Sequence, residues 1–470
     1  MSKEDICYMS ACDMAERIRT QEFTSAEITE TIIERIEEIN PIINAYCTPT
    51  FDLAREMAKK ADDAVKRGEK IGKLNGIPTS IKDIIETEEI RTTYGSKLYE
   101  NFIPKEDAIV VKRLKDAGIV ILGKTNTPEF AFSPVTDNPI FGETKNPWNL
   151  ERTTGGSTGG GAAATASGLG PLTLGSDAGG SIRIPSCFCG TFGLKPSFGR
   201  IPTYPYVILH SRTINHYGPL VRYVEDAALM LDAMKGPDDR DRLSLPEQNI
   251  SYLDNIDNKP SKLKIGYSLD LGYVKALDPE VERNILNSID KFSQFSWDAE
   301  KAKIKLRKAE WTYNILYTVD YGYDLKPKLK DWKESLDPNF LKLVEAGLGY
   351  SGIDVMRAMD QRRKLYDSIN EVFNHFDVLI TPTLALPAFE LGRTFPAEVN
   401  GKGLSPTGWL FTFPFNLTGH PAASIPCGWS GEGLPIGMQI VGKRFDEVTV
   451  LQVSKAFQDI APWQEKRPNL

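Results

Sequence analysis

GGSTGGGAAATASGLGPLTLGSDAGGSIRIPSCFCGTFG, residues 155 to 193, decides how this chain is read. It holds 12 of the 38 glycines, and only two charged residues, Asp177 and Arg183, in a chain that is 25% charged. Glycine gives up the most chain entropy on folding. A stretch that accepts this cost and excludes charge is expected to be buried, with backbone passing close to something. Its polar residues are chemically pointed: Ser157, Thr158, Ser176, Asp177 and Ser181. Gly160 to Ser167 reads as a small-residue helix, Pro171 to Gly175 as a strand, and Ser176 to Ser181 as a turn. The plain alternative is a close-packed glycine-rich core loop, against which the two serine-centred glycine clusters weigh.

Upstream, KLNGIPTSIKDIIET (73–87) is strand-like after the Gly76-Ile77-Pro78 breaker. Lys82 is its odd member, a cation amid apolar β-formers. An edge-strand lysine that snorkels to water is the bland reading. A helix from Asp107 to Ala117, ended by Gly118, leads into Ile119 to Leu122, a short apolar run typical of a buried strand. This order predicts an α/β core. The first 70 residues read as helix. Thr24 to Glu27 form a capping box, Ile28, Ile32, Ile36 and Ile39 share one face, and a second helix runs from Phe51 to Arg67.

Downstream, Val224 to Lys235 is an amphipathic helix, and composition shifts after GPDDRDRLSLP. Residues 245 to 345 are more charged, with a strand at Leu263 to Tyr267 and helices near 279–292. A long helix spans 353 to 375. Strands follow at Asp377 to Thr381, Pro421 to Pro426 and Leu434 to Val441, then a last helix from Asp446 to Ile460.

At 470 residues and 41% hydrophobic, the chain can bury a sizeable core. A formal net charge of −7 argues against a broad nucleic-acid-binding surface. The local run Lys326, Lys328, Lys330 and Lys333 alternates with acids and reads as a solvated face. Six cysteines without a CxxC pair predict free, buried thiols in a reducing compartment. The polar N-terminus shows no secretory signal, and no run approaches the ~18 apolar residues of a membrane span. The expected location is cytoplasmic, with no membrane partner.

Four templates bear on chemistry. GGSTG (155–159) fits G-x-S-x-G, and Asp377 and His420 follow in the order of an α/β-hydrolase triad. The preceding NLERTT is a poor strand, however, and no HGGG-type motif is present. Gly159, Gly161 and Ala164 fit G-x-G-x-x-A, again without a preceding strand. No GK[ST] follows the glycines, so a phosphate-binding loop fails. His210, His216, His375 and His420 show no metal-ligand spacing, and no metal is expected.

The fourth template is a serine nucleophile served by lysine. Serine needs a nearby group to take its proton. Lysine does so only when neutral, a state that burial favours. Lys82 sits in such a setting. Ser181 follows Asp177-Ala178-Gly179-Gly180, where two glycines let successive N–H groups converge as an oxyanion would need. A second serine can relay the proton, because a hydroxyl both donates and accepts.

At this point the chain resembles the amidase signature enzymes. The match runs from GGSTG through GLKPSFGRIP and includes NGIPTSIKD, TNTPEF, NPWN, GPLVR-YVEDAALMLD and FPFNLTGHPAASIPCG…GLPIGMQIVG. It is weakest from about 245 to 350. The resemblance implies an α/β fold of one large domain (1–470), a central mixed β-sheet covered by helices on both faces. Within it lie an N-terminal helical segment (1–70), a catalytic core (73–235), a variable substrate-side layer (245–350) and the rest of the core (351–470). It also implies a Ser–cis-Ser–Lys triad: Ser181 as nucleophile, Ser157 as bridging serine in a cis peptide, Lys82 as base. The N–H groups of Ala178, Gly179, Gly180 and Ser181 would form the oxyanion hole. Asp177 and Arg183 would pair beneath the loop, the alternative being that either faces water.

Three positions depart from the family's common pattern. Thr158 stands where serine is common, and Ser176 and Ser197 where threonine is; each keeps a hydroxyl. The activity implied is amide hydrolysis through an acyl-enzyme, without cofactor. Partners are a small-molecule or oligomeric amide substrate, with a homodimer left open. Alternatives are a hydrolase of linear or cyclic oligoamides, a glutaminase subunit of a tRNA-dependent amidotransferase, and an idle binding protein on the same fold. TPEFAFSPVTDNPIFG looks more like stand-alone amidases than that glutaminase. The acyl pocket is expected from 125–150, 200–215 and 310–350, with Phe130, Phe132, Tyr206, Trp311, Tyr317 and Tyr321 as candidate lining.

Overall fold

A computed structural model of the chain describes residues 1–205 and 212–470. Eleven strands form one sheet. In chain order they are β1 (Tyr46–Pro49), β2 (Pro78–Lys82), β3 (Val120–Thr125), β4 (Leu172–Asp177), β5 (Phe192–Lys195), β6 (His216–Val221), β7 (Lys264–Tyr267), β8 (Asp298–Lys301), β9 (Val378–Pro382), β10 (Ala422–Trp429) and β11 (Pro435–Gly442). Across the sheet the order is β1-β3-β2-β4-β6-β5-β10-β11-β9-β7-β8. β2 runs parallel to both β3 and β4, β9 parallel to β7, and β7 parallel to β8; the other pairings are antiparallel. The sheet is therefore mixed, and helices flank it, as expected.

β2 lies between β3 and β4, with Ile81 opposite Leu174, so Lys82 is no edge lysine. Both β2 and β4 are buried along their whole length. Being parallel, they bring their carboxyl ends to one side of the sheet, where open α/β sheets place their ligand crevices.

After two short helices at Lys3–Cys7 and Ala11–Arg19, helix α1 (Ser25–Ile43) starts as its sequence requires. The Thr24 side chain accepts from the Glu27 N–H, and Glu27 accepts from the Thr24 N–H. Ile28, Ile32, Ile36 and Ile39 are all buried. The next helix, Phe51–Lys66, agrees with its reading to one residue.

In the glycine-rich stretch, α2 (Gly159–Ala166) is buried at every residue. Its small side chains permit a close approach to backbone. A Cβ on Gly160 would stand 2.4 Å from the Asn126 nitrogen and 2.6 Å from the Ala45 carbonyl oxygen. β4 runs on through Ser176 and Asp177, where a turn was expected, because its ladder with β6 continues to Asp177–His216. The chain then turns into α3 (Arg183–Cys189).

A strand does precede GGSTG: Asn149–Thr153, read above as a poor one. It pairs with Lys145–Asn146 and bridges Arg152 to Glu390, all outside the main sheet, so GGSTG is not carried on the central sheet as a nucleophile elbow is. Residues 245–350 supply two helices that reach the cavity at Ser181, α4 (Ala309–Leu325) and α5 (Pro338–Leu348), and the long helix Gly352–Phe373 follows. The six cysteines form no disulfide. No helix among the described residues is long and apolar enough to cross a membrane.

Candidate active site

Lys82 ends β2 with its side chain fully buried. Its Nζ stands 2.6 Å from the Ser157 Oγ and 2.9 Å from the Ser176 Oγ. Burial drives its pKa well below lysine's ordinary value, against a weaker opposing pull from Asp177. Two other lysines, Lys124 and Lys195, are as deeply buried. Their contacts differ. Lys124 donates to the Ile85 carbonyl and to the Thr87 and Thr92 hydroxyls, and Lys195 to the Pro196 and His420 carbonyls. Of the three, Lys82 alone bonds serine hydroxyls.

The Gly156–Ser157 peptide is cis. The adjoining Thr158 N–H donates to the Ser181 carbonyl at 3.1 Å, tying the two serine loops together through their backbones. Thr158 is fully buried, its hydroxyl donating to the Ser176 carbonyl at 3.3 Å. Its methyl lies over two glycines, 2.9 Å from where a Gly175 Cβ would be and 3.3 Å from where a Gly161 Cβ would be.

Ser181 is half-buried and opens onto a cavity of about 420 Å³. No described residue hydrogen-bonds its hydroxyl, so the contact to Ser157 that a relay needs is not made between the side chains.

The loop beneath Ser181 is built on Asp177 and Arg183, both wholly buried. They pair through two 2.9 Å hydrogen bonds, from Nε to Oδ2 and from Nη2 to Oδ1. Burial pushes the Asp177 carboxyl up, but the Arg183 charge and hydrogen bonds, with Lys195 and Asn416, outweigh it and hold it well below the usual carboxylate range. The carboxylate also accepts from the Gly180 N–H (2.7 Å) and the Ile182 N–H (3.2 Å).

The Gly180 N–H, one of the four expected oxyanion donors, donates to the Asp177 carboxylate. The N–H groups of Ala178, Gly179 and Ser181 find no acceptor among the described residues. Of these three residues, Gly179 and Ser181 line the cavity.

Three residues that sequence reasoning missed hold this arrangement. Arg183 Nη1 donates to the Thr412 carbonyl (2.9 Å) and to Gln439 Oε1 (2.7 Å), and Nη2 to Asn416 Oδ1 (2.7 Å). The Asn416 amide returns a bond to the Asp177 carbonyl oxygen, and the Thr412 hydroxyl donates to the Gly179 carbonyl at 2.6 Å. The available signal was a single uncharged polar residue inside an apolar run, as in FPFNLT and IGMQIVG.

The cavity wall only partly follows expectation. Phe132 and Tyr317 line it with Ser181. Phe130 and Tyr321 do not: they are core residues, and the Tyr321 hydroxyl donates to the Phe130 carbonyl. Trp311 faces a different surface groove, beside Lys308 and Met356. Tyr206 lies outside the described residues. The expected 310–350 layer contributes Tyr313, Asn314, Thr318, Asn339, Lys342 and Leu343, whereas Thr394, Phe395, Pro406, Thr407 and Leu410 were not anticipated. Tyr313 lies against the loop that bears Ser181, where a Cβ on Gly179 would meet its Oη at 2.1 Å.

A family model described as Amidase matches residues 27–451. A glutamyl-tRNA(Gln) amidotransferase subunit from Sulfurihydrogenibium sp. (strain YO3AOP1) is 37% identical over 97% of this chain and 98% of its own. An acylamidase of Rhodococcus erythropolis is 35% identical over 100% of this chain and 98% of its own. Among solved structures, a bacterial aryl acylamidase of the amidase signature enzymes superposes with a TM-score of 0.92 at 29% identity, over 97% of each chain. With fold, motif and relatives in agreement, this chain belongs to the amidase signature family and is a hydrolase of carbon–nitrogen bonds in amides.

Proposed function

We propose that the protein is a stand-alone amidase that cleaves carboxylic amides through an acyl-enzyme on Ser181. The observation that carries this reading is the bond between a wholly buried lysine and a serine hydroxyl, Lys82 Nζ to Ser157 Oγ at 2.6 Å, at the foot of the loop bearing Ser181. Burial lowers the Lys82 pKa and so favours the neutral form, the form of lysine that accepts a proton.

Ser181 Oγ attacks the substrate carbonyl carbon. Its proton passes to Ser157, whose own proton passes to Lys82 Nζ. The carbonyl oxygen becomes an oxyanion and accepts hydrogen bonds from the Ala178, Gly179 and Ser181 amides. Collapse of the tetrahedral intermediate breaks the C–N bond, and the proton returns along the same path to the leaving nitrogen. Water then attacks the acyl ester, giving up its proton to the same network, and releases the carboxylate and Ser181. The Ser181 hydroxyl turns toward Ser157 when substrate fills the cavity; catalytic hydrogen bonds often close only in the complex.

A glutaminase component of an amidotransferase is the second reading, supported by the 37% identity to one such protein. The cavity favours the stand-alone enzyme: Phe132, Ile184, Tyr313, Tyr317, Leu343, Phe395 and Leu410 make it suited to an apolar or aromatic amide. Hydrolysis of aryl and alkyl amides by the isolated chain tests the reading directly. Turnover lost in Ser181→Ala supports it, and full turnover in that variant overturns it.

A further inference from the structure

Among the described residues that line the cavity above Ser181, Lys342 alone bears a formal charge. Lys342 lies on α5, is exposed to solvent, and forms no ion pair among the described residues. Asn339 stands three residues earlier, on the same face of the helix. Asn314 lies on α4, which packs against α5. Neither asparagine's side-chain amide has a hydrogen-bond partner among the described residues. Both asparagines are exposed, as Lys342 is, so the cavity offers an incoming substrate one ammonium and two solvated amide groups.

The acids of the surrounding elements are engaged elsewhere. Asp337 caps α5 by accepting from the Asn339 and Phe340 N–H groups. Glu310 accepts from the Ser405 and Thr407 hydroxyls. Glu345 pairs with Lys333, and Asp320 and Asp324 pair with Arg212. In a chain of net charge −7, a lone cation at the mouth of an otherwise neutral cavity is a local attractor for an anion. Along α4, Tyr313 covers Gly179, Asn314 is the next residue, and Thr318, which also lines the cavity, is five residues beyond Tyr313, about 7.5 Å along the axis.

We propose that this cavity selects amides that carry a carboxylate several bonds from the scissile carbonyl. One carboxylate oxygen accepts from Lys342 Nζ, and the other from the Asn314 and Asn339 amides. The apolar middle of the substrate lies against Tyr317, Leu343 and Phe395. The inference rests on Ser181 being the reacting centre.

The test uses matched substrate pairs with the full-length protein. On the acyl side, the mono-p-nitroanilide of adipic acid is compared with hexanoic acid p-nitroanilide. On the amine side, N-benzoyl-6-aminohexanoate is compared with N-hexylbenzamide. In one arm at least, the carboxylated member has the higher kcat/KM, by about three- to tenfold, and the arm that shows it tells which side faces α5. The ratio falls toward one in Lys342→Met, mainly through KM, and shrinks with added salt. A ratio at or below one in both arms, or one that Lys342→Met leaves unchanged, overturns the inference. Binding of adipate and 6-aminohexanoate to Ser181→Ala, with Lys342 intact or replaced by Met, reads the subsite without turnover. Loss of either ligand's affinity on replacement supports it, and equal affinity overturns it. Failure of every amide to turn over, with the anion still held through Lys342, would count against Ser181 as the reacting centre and leave the subsite standing.

Discussion

Lys82 Nζ lies 2.6 Å from the Ser157 hydroxyl oxygen, and neither side chain reaches solvent. A base in that position works only when neutral. Burial lowers its pKa well below 10.5, so the neutral fraction appears at lower pH than for an exposed lysine. The predicted kcat/KM rises with pH through that lowered pKa and then levels. Lys82→Ala lowers kcat by about 10²–10⁴-fold, the range for loss of a positioned acid–base group. Lys82→Arg does not restore it, since arginine stays protonated. A pH–rate profile on a neutral amide checks both.

Asp177 and Arg183 are a buried pair, and removing one partner leaves the other uncompensated. Asp177→Asn or Arg183→Met is expected to cost about 3–5 kcal/mol in chemical unfolding. In Asp177→Asn activity should fall further than stability alone explains, because an amide –NH2 replaces one of the two carboxylate oxygens that accept from the Gly180 and Ile182 N–H groups. The carboxyl pKa is depressed in the fold. Its contribution to stability is therefore present above the unfolded value of about 3.9 and is lost as pH falls from there toward the folded pKa. Acid titration of unfolding in wild type against Asp177→Asn shows whether that loss disappears.

Gly179 has no room for a side chain. A Cβ there would meet Tyr313 Oη at 2.1 Å, while its carbonyl is held by Thr412. Gly179→Ala displaces the loop and misaims its amides. The expected loss in kcat is about 10²–10³-fold, comparable to removing one oxyanion donor. Steady-state kinetics at saturating substrate reads it.

Thr158→Ser removes a buried methyl that covers Gly175 and Gly161 and keeps the hydroxyl. The predicted cost is about 0.5–1.5 kcal/mol by thermal or chemical unfolding, as for other single-methyl deletions in cores. kcat/KM should stay within about threefold. A larger kinetic effect would mean that the methyl also positions the relay.

Much of this architecture was legible in residues 155 to 193. Glycine without charge predicted a buried small-residue helix next to a strand, and α2 and β4 are that pair. Lys82 was visible as a cation among β-formers, but its place between β3 and β4 depends on pairings set by distant segments. β6 drew no strand reading; its HYGPLV carries Gly218 and Pro219, residues that argue against an interior strand. Lys124 and Lys195 drew no attention, since nothing local to them reveals complete burial. The cavity wall was the least legible part. Trp311 and Tyr313 are two residues apart on one helix, yet one is exposed and the other covers Gly179. Which face of α4 turns inward is set by its packing on α5 and on the long helix after it.

The most direct measurement is intact-protein and peptide mass spectrometry after reaction with an organofluorophosphonate. The account predicts one adduct per chain, on Ser181, formed slowly in Ser157→Ala and Lys82→Ala and absent in Ser181→Ala. Stoichiometric labelling at another residue, or full amide turnover by Ser181→Ala, would contradict it.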